Sequence, residues 1–325
     1  MVKFGLTLSN RGVITGSSTL ADMVSLARQA DANEAWDSIW VGDSILAKPR
    51  LDAIVLLAGL ALQTERVKLG PACFASTPLR PALQLAYQWA SLDYLSGGRT
   101  IFVACQGRSA TGGGDFAHEF ASLGVEPTSR MRRMEEAIEI MRLTSSQEDA
   151  SYAGEHNQFE HVTIEPRPVQ QPLPIWVTSN PRPTHAKLRE RGLRRAARLG
   201  DGWMTTGQTP TIVAEYLADI RRYAAETGRE LGSEYEVAVY YNVNVNADRE
   251  AALVEAKRYL DAYYTTDYAR PFLETWVAAG SAERCISDIQ AFVDAGATTI
   301  TLRLVSYDQE AQFRRVTDEI LPAFA

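Results

Sequence analysis

The chain has 325 residues, of which 46% are hydrophobic and 22% are charged, and it carries a net charge of −7. This composition is that of a globular protein and excludes a disordered chain. Lys and Arg are dispersed among Asp and Glu, so we expect no nucleic-acid partner, because no basic face would follow a phosphate backbone.

The chain begins with a strand-like segment, Val2–Leu8, that lacks the length and charge of a signal peptide. It has no run of eighteen apolar residues, which argues against a transmembrane helix and a membrane partner. The three cysteines, Cys73, Cys105 and Cys285, lack metal-binding spacing such as CxxC. We therefore expect a reduced, cytoplasmic setting.

Short β-branched runs alternate with helical patterns such as Leu20–Ala35, Leu51–Gln63 and Pro81–Leu95. This alternation is typical of βα repetition and a parallel sheet. Eight such units favour a (β/α)₈ TIM barrel, in one domain over residues 1–325, rather than an open doubly wound sheet. The predicted strands are Lys3–Leu8, Ser38–Val41, Val67–Leu69, Thr100–Ala104, Pro174–Thr178, Gly202–Thr205, Tyr235–Val245 and Thr298–Leu304.

Three intervals are longer than ordinary barrel loops. Residues 106–128 follow strand four and contain Gly112–Gly114, so they are interpreted either as an active-site lid or as a flexible surface loop. Residues 145–171 alternate like a hairpin inserted before strand five, and we expect this interval also to be a functional loop. Residues 259–280 carry an aromatic cluster that favours core or a subunit interface over a ligand wall.

Five stretches form a set of motifs in a fixed order: Trp36–Asp43, Thr64–Gly70, Ser91–Cys105, Pro172–Val177 and Gly200–Trp203. In order and spacing this set resembles the bacterial luciferase-like superfamily of flavin and deazaflavin oxidoreductases, from about Lys3 to Thr206. The resemblance implies a barrel in which the coenzyme ring lies across the strand ends.

The resemblance places the coenzyme ring against a bulge after strand three, here Gly70–Ser76. In the family this bulge often holds a non-proline cis peptide, and the nearest match puts the cis bond between Ala72 and Cys73. A cis bond of this kind persists only where function requires it. The alternative is an ordinary trans strand end.

Asp43 ends strand two, where a charged side chain is more often functional or ion-paired than idle. The resembling enzymes have Asp or Glu here, usually followed by a catalytic His, whereas this chain has Ser44. This difference weakens the case for luciferase-type or sugar-dehydrogenase-type acid–base chemistry. Asp43 remains a candidate coenzyme-pocket residue or proton shuttle.

Cys105 ends strand four and is either a reactive, catalytic thiol or a small core residue. Luciferase is similar in having Cys here, followed by an Arg that contacts flavin phosphate, and Gln106 replaces that Arg. Arg108 stands where deazaflavin sugar dehydrogenases have an acidic proton donor. That specific activity is therefore not expected.

The turns after strands five and six are rich in hydroxyl and amide side chains, and the first of them opens a helix near His185. A helix N-terminus with such donors suits a phosphate, and the family's relatives use this turn for the coenzyme. The alternative is that these side chains only stabilise the turns and cap the helix. The coenzyme-binding candidates in these turns are Thr178, Ser179, Asn180, Arg182, Thr184, Thr205 and Thr206.

The remaining polar clusters do not suggest chemistry. His156 and His161 are five residues apart on the predicted hairpin, which is poor spacing for a metal pair, so no metal site is expected. The basic clusters Arg130–Arg133 and Arg189–Arg195 lie beside glutamates on predicted helix faces. They predict surface ion pairs rather than an anion site.

The leading functional hypothesis is a luciferase-like monooxygenase, in which reduced FMN from a separate reductase activates dioxygen for insertion into a small organic substrate. One alternative is hydride transfer with the deazaflavin coenzyme F-420. A second is a non-catalytic flavin-binding barrel, which the loss of Arg at Gln106 favours slightly. Relatives usually dimerise, so a homodimer or higher homo-oligomer is expected.

Overall fold

The computed structural model describes residues 1–108 and 115–325, in which eleven strands and twelve α-helices form. Each strand predicted from the sequence has a counterpart whose ends differ by at most two residues. The strands are β1 (Lys3–Thr7), β2 (Ser38–Val41), β3 (Lys68–Pro71), β4 (Phe102–Ala104), β5 (Ala150–Ala153), β6 (Gln158–Val162), β7 (Ile175–Thr178), β8 (Gly202–Thr206), β9 (Glu236–Val245), β10 (Val277–Gly280) and β11 (Thr299–Leu304).

Eight of these strands form a parallel barrel. Hydrogen bonding connects them in the order β3-β2-β1-β11-β9-β8-β7-β4. Isolated parallel bridges from Leu69 to Thr100 and from Phe74 to Ala104 join β3 to β4 and close the ring. The TIM-barrel prediction is therefore confirmed, and the strands follow one another around the ring in chain order.

The helices cover the outside of the barrel. Two begin where a side-chain oxygen accepts backbone N–H groups: Thr19 and Asp22 form a capping box, and Asp52 accepts from Ile54 and Val55. The helices are α1 (Gly12–Thr15), α2 (Leu20–Asp31), α3 (Ala53–Ala61), α4 (Ala82–Leu95), α5 (Phe116–Ser122), α6 (Arg130–Ser146), α7 (Ala186–Leu199), α8 (Pro210–Ala225), α9 (Arg249–Tyr264), α10 (Arg270–Trp276), α11 (Ala282–Asp294) and α12 (Gln309–Arg315).

Strand alternation divides the core into two layers. In β11, Ile300, Leu302 and Leu304 belong to the large cluster between sheet and helices, whereas Thr301 and Arg303 alternate with them on the inner face. A separate apolar cluster fills the barrel interior, and its indole rings lie 5.3 Å apart between centroids. Its buried members are Trp40, Ile101, Val103, Trp176, Met204 and Ala238.

The second long interval contains the predicted hairpin, since β5 and β6 pair antiparallel. The hairpin packs on α6, where the Tyr152 hydroxyl donates to Glu139 at 2.6 Å. It connects α6 to the start of β7, which places it at the amino-terminal end of the barrel. The expectation of a functional loop there is wrong, because barrel active sites form at the opposite end.

The other two intervals lie at the carboxyl-terminal end. Residues 259–280 contain the last turns of α9, then α10 and β10, and β10 adds to the second half of β9. Their aromatic side chains, including Tyr263, Tyr268 and Trp276, are buried, as the core interpretation predicted. Residues 106–128 contain α5, while Gly112–Gly114 of the predicted lid lie outside the described residues. Among the described helices, none has the length and apolarity that crossing a bilayer requires.

Candidate active site

The carboxyl ends of the barrel strands converge on one opening, which we call the mouth. Loops at this end build the active sites of TIM-barrel enzymes. The apolar interior cluster, with its two indole rings, forms the floor of the mouth. The strand-end residues at the mouth are Thr7, Asp43, Cys73, Cys105, Thr178, Thr206, Asn242 and Arg303.

The end of β3 reaches the mouth as an ordinary trans strand end. The N–H of Ala72 donates to the carbonyl of Val41 in β2, and the N–H of Phe74 donates to β4, each at 2.8 Å. The described residues contain cis peptide bonds only before Pro166 and Pro172. The predicted cis bond between Ala72 and Cys73 is therefore wrong. With a trans peptide bond, the chain passes from pairing with β2 to pairing with β4, and the N–H groups of Ala72 and Phe74 both stay hydrogen-bonded.

Two half-buried thiols meet at the mouth. Cys73 and Cys105 share a side-chain hydrogen bond, which lowers the pKa of Cys105 to about 7 and raises that of Cys73. The Thr178 hydroxyl also bonds to Cys105 and supports its thiolate. Cys105 is thus a half-buried thiol whose anionic form is more populated at neutral pH than that of an ordinary cysteine.

Asp43 joins the loops that follow β2 and β3. Its carboxylate is buried and accepts the backbone N–H of Ser76 at 2.6 Å, while the guanidinium of Arg80 lies 3.9 Å away. Arg80 is held in turn by Asp52 at 2.5 Å. Burial raises the pKa of Asp43, and Arg80 and Ser76 oppose that rise only in part. Asp43 is therefore suited to hold a proton beside the thiol pair.

Ser44, which stands where a histidine was expected, organises a loop. Its hydroxyl donates to Glu119 of α5 at 3.3 Å and accepts the N–H of Lys48 at 3.0 Å. The same Glu119 oxygen accepts the N–H groups of Ile45 and Ala47 at 2.8 and 2.9 Å. A carboxylate buried against these donors fixes the course of residues 44–50.

Gln106 replaces the arginine of the family resemblance and leaves a polar atom unpaired. Its Oε1 is buried and has no hydrogen-bond partner in the described structure. Thr7 Oγ1, Thr301 Oγ1 and Asn242 Oδ1 are unpaired in the same way. Because unpaired buried polar atoms are costly in a folded protein, this concentration at the mouth marks a place where a polar ligand supplies the partners.

The turns after β7 and β8 come together as the sequence suggested. Asn180 Oδ1 accepts the Thr205 hydroxyl at 2.7 Å and the Thr206 N–H at 3.0 Å. The Thr206 hydroxyl donates to the carbonyl of Tyr240 and accepts from Trp276 Nε1. These bonds fix the two strand ends relative to each other.

The candidate residues near α7 differ in where they point. The Ser179 side chain packs so closely against Gly192 of α7 that a Cβ on that glycine would collide with the serine hydroxyl. The Ser179 side chain therefore faces away from the mouth. Arg182 and Thr184 are exposed just before α7. His185 precedes the helix without capping it through its side chain, which leaves the first N–H groups of α7 available to an anion.

Sequence reasoning missed a group of cations at the mouth. Arg11, Lys48, Arg50 and Arg303 come from three separate segments and meet the aromatic side chains at the end of α9. A signal for Arg303 was present, since it alternates with Thr299 and Thr301 on one face of a buried strand. No metal-binding group of three His, Cys, Asp or Glu side chains occurs among residues 1–108 and 115–325.

Comparison with known proteins adds the family context. A model of the luciferase-like monooxygenase family matches residues 2–325. The F420-dependent glucose-6-phosphate dehydrogenase of Amycolatopsis mediterranei (strain U-32) is 21% identical, with 93% of each chain aligned.

Two solved structures show the same fold at 18% identity. An F420-dependent secondary alcohol dehydrogenase in complex with an F420-acetone adduct has a TM-score of 0.80 and covers 100% of this chain and 99% of that one. The oxygenating constituent of 3,6-diketocamphane monooxygenase from Pseudomonas putida, in complex with FMN, has a TM-score of 0.72 and covers 99% and 98%.

Proposed function

The chain belongs to the luciferase-like monooxygenase family, and from that premise we propose that it is an oxidoreductase that transfers hydride between coenzyme F-420 and a small organic substrate at the mouth. The observation that carries the choice of coenzyme is the alignment, over nearly the whole chain, with a dehydrogenase whose name specifies F420. The structural likeness to an F420-dependent alcohol dehydrogenase is consistent with this choice.

The mouth fits a planar heteroaromatic ring. Its floor is apolar and includes Trp40 and Trp176, while the unpaired oxygens of Thr7, Gln106 and Asn242 lie around it. A ring with an apolar face and polar edges would cover the floor and pair with those oxygens. Residues Ala72 and Cys73, at the end of β3, pack against the same floor and would contact the ring.

The phosphate of the coenzyme would bind at the ends of β7 and β8. Asn180 holds this turn in shape, Thr206 stands beside it, and Arg182 and Thr184 are exposed at the start of α7. Hydroxyls, a guanidinium and uncapped helix N–H groups are the donors that phosphates use in proteins.

When bound, the deazaflavin would supply the site that gives or takes a hydride. The chain itself would manage the proton that accompanies oxidation of an alcohol or reduction of a carbonyl. Asp43, with its raised pKa, and Cys105, with a pKa of about 7, are the titratable groups beside the floor. Cys105 would exchange a proton near neutral pH, and the raised pKa of Asp43 favours its protonated form relative to an ordinary aspartate.

The second candidate is the FMN-dependent monooxygenase. The observation that favours it is the matching fold of an oxygenase solved in complex with FMN. This function would require a separate reductase to supply reduced FMN. In that case the floor and the β7–β8 turn would hold FMN through the same residues.

Parallel titration of the purified protein with F-420 and with FMN, followed by fluorescence, tests the proposal. Micromolar or tighter binding of F-420 with weaker FMN binding is expected. The opposite preference would favour the oxygenase and call for a reductase-coupled oxygen-uptake assay. Binding of neither would reject both enzymes in favour of a barrel that does not use these coenzymes.

A matched pair of variants tests the proposed phosphate position. Arg182→Ala removes an exposed guanidinium beside the turn, and we expect about 3- to 10-fold weaker coenzyme binding. Arg191→Ala removes an equally exposed guanidinium farther along α7 and should leave affinity unchanged. Equal effects of the two variants would reject this position.

A further inference from the structure

Four cationic side chains gather on one side of the mouth. Arg11 follows β1, Lys48 and Arg50 follow β2, and Arg303 ends β11. The exposed fractions of Arg11, Lys48 and Arg303 are 7%, 3% and 1%, and Arg50 is half-buried. We call these four residues the mouth cations.

Two tyrosines at the end of α9 contact three of the mouth cations. The Arg303 guanidinium carbon lies 4.1 Å from the ring centroid of Tyr263, and that of Arg50 lies 5.4 Å from the same ring. Lys48 Nζ lies 5.0 Å from the ring of Tyr264, whose hydroxyl accepts from Arg303 at 3.2 Å. The ring faces stabilise positive charge without neutralising it.

The position of Arg50 depends on the end of β2. Its guanidinium lies against Gly42, where a Cβ would collide with Nη1. The Arg50 Nε donates to the carbonyl of Lys48 at 3.0 Å, and Nη1 approaches the hydroxyl of Tyr263 at 3.4 Å. The guanidinium is therefore fixed beside the mouth rather than extended into solvent.

None of the mouth cations forms a salt bridge with a carboxylate in residues 1–108 and 115–325. The acids of the neighbouring loops are already engaged. Asp43 accepts from Ser76, Glu119 accepts the backbone N–H groups of residues 45–47, and Glu255 accepts from Asn244 and Ser306.

The positive charge of Lys48 is unfavourable at this place, whereas for Arg303, despite its burial, the surrounding tyrosines raise the pKa. Burial, followed by the charges of Arg108, Arg50 and Arg11, lowers the pKa of Lys48 to about 7. Arg303 Nε and Arg11 Nε are buried donors with no acceptor in the described structure. Buried donors without an acceptor are costly, so an anion from outside the chain would stabilise this group.

We infer that Arg303, Arg50 and Lys48 bind one anionic group of the substrate, a carboxylate or a phosphate monoester. Guanidinium groups suit both, because their planar donors match the paired oxygens of either anion. The assignment of the anion to a substrate rests on the proposed function. The anion site itself does not depend on which coenzyme the protein uses.

The position of the cluster argues that the anion belongs to the substrate and not to the coenzyme phosphate. In the ring order, β1 and β2 lie opposite β7 and β8, whose turn is the proposed phosphate position, and β11 is separated from β8 by β9. The floor of the mouth lies between these two sides. A substrate held by its anion at the cations would extend toward a ring lying on that floor.

The test is calorimetric titration of the full-length, coenzyme-free protein with inorganic phosphate and separately with succinate, with sodium chloride at matched ionic strength as the reference. We expect one saturable site for at least one of the two anions. Arg303→Met and Arg50→Gln should each weaken that binding about 10-fold or more. Arg194→Gln, which removes a salt-bridged guanidinium on α7, should have no effect.

If the Arg303 variant does not fold, Arg50→Gln still tests the inference, because Arg50 is only half-buried. Binding no stronger than that of chloride, or an equal loss in Arg50→Gln and Arg194→Gln, would overturn the inference. Preference for phosphate over succinate would assign phosphate esters, and the reverse preference would assign carboxylic acids.

A second titration separates this inference from the proposed function. Coenzyme affinity should be unchanged by a saturating amount of the bound anion. Competition between the two would show that the cations hold the coenzyme, which overturns the substrate assignment. Anion binding by a protein that binds neither F-420 nor FMN would reject the proposed function and leave the anion site in place.

Discussion

The mouth and the outer helices use the same types of side chain in different ways. On α7, Arg189, Arg194 and Arg195 each contact a carboxylate, at 2.5 to 2.9 Å. Among the mouth cations, Arg11, Lys48 and Arg303 are more buried than these arginines, yet none of the four has such a partner in the part of the chain that the structure describes. Cations paired within the chain stabilise the helical layer, whereas those at the mouth are arranged for a ligand.

The cysteines show the same contrast. Cys285 lies buried at the start of α11, where burial raises the pKa of its thiol to about 12. Cys105 is half-buried at the mouth, where the hydrogen bond from Cys73 lowers its pKa to about 7. Location in the barrel, rather than residue type, therefore decides which thiol has the lower pKa.

The largest expected difference is between these thiols. At pH 8, iodoacetamide should alkylate Cys105 at least about 1,000-fold faster than Cys285, because thiolate fraction and access both favour the mouth. Peptide mass mapping against time measures both rates. Cys73→Ala should move the Cys105 pH profile to higher pH, since the hydrogen bond is lost. Similar alkylation rates for Cys105 and Cys285 would contradict this prediction.

The next largest difference is the size of a stability change. Arg195→Met leaves Glu135 with Arg198 and the more distant Arg132, and should lower the free energy of unfolding by about 1–3 kcal/mol. Arg303→Met removes a buried charge that has no carboxylate partner but is favoured by the tyrosines around it, so the free energy of unfolding without ligand should change by less than about 1 kcal/mol. Urea denaturation measures both. Destabilisation of equal size would mean that Arg303 is structural.

Lys48→Met gives a smaller effect that depends on pH. The lowered pKa means that the unfolded chain binds the Lys48 proton below pH 10.5 but the folded protein binds it only below about 7. The charge of Lys48 therefore lowers the free energy of unfolding by its full amount below pH 7 and by nothing above pH 10.5. Relative to the wild type, Lys48→Met should be stabilised by about 1–3 kcal/mol at pH 6 and little at pH 10.

The charges that face Lys48 are those of Arg108, Arg50 and Arg11. Other titrating groups are shared by the wild type and the variant and cancel in their difference. Denaturation at pH 6, 8 and 10 gives the comparison. A stabilisation that does not change with pH would show that Lys48 keeps an ordinary pKa.

The smallest effect is expected on the outer surface. Arg194→Gln breaks contacts with Glu190 and Glu226, but both partners are exposed and well solvated. The melting temperature should change by less than about 2 °C. A larger shift would show that the paired arginines of α7 contribute more than surface ion pairs normally do.

The sequence determined the barrel, the hairpin and the strand ends. Strand positions follow from local runs of β-branched residues, so Asp43, Cys105, Asn180 and Thr205 were placed at carboxyl ends without knowledge of the fold. The surface pairing of Arg194 was also readable, since its partner Glu190 lies four residues away on one helix face.

Only the tertiary structure decided how those positions meet. It turned Ser179 toward α7, kept the Ala72–Cys73 bond trans, and gave Cys105 its thiol partner. It also brought Arg303 beside Lys48 from the opposite end of the chain. Local pattern fixes which residues form a strand, but side-chain partners and burial depend on ring closure, which joins segments distant in sequence.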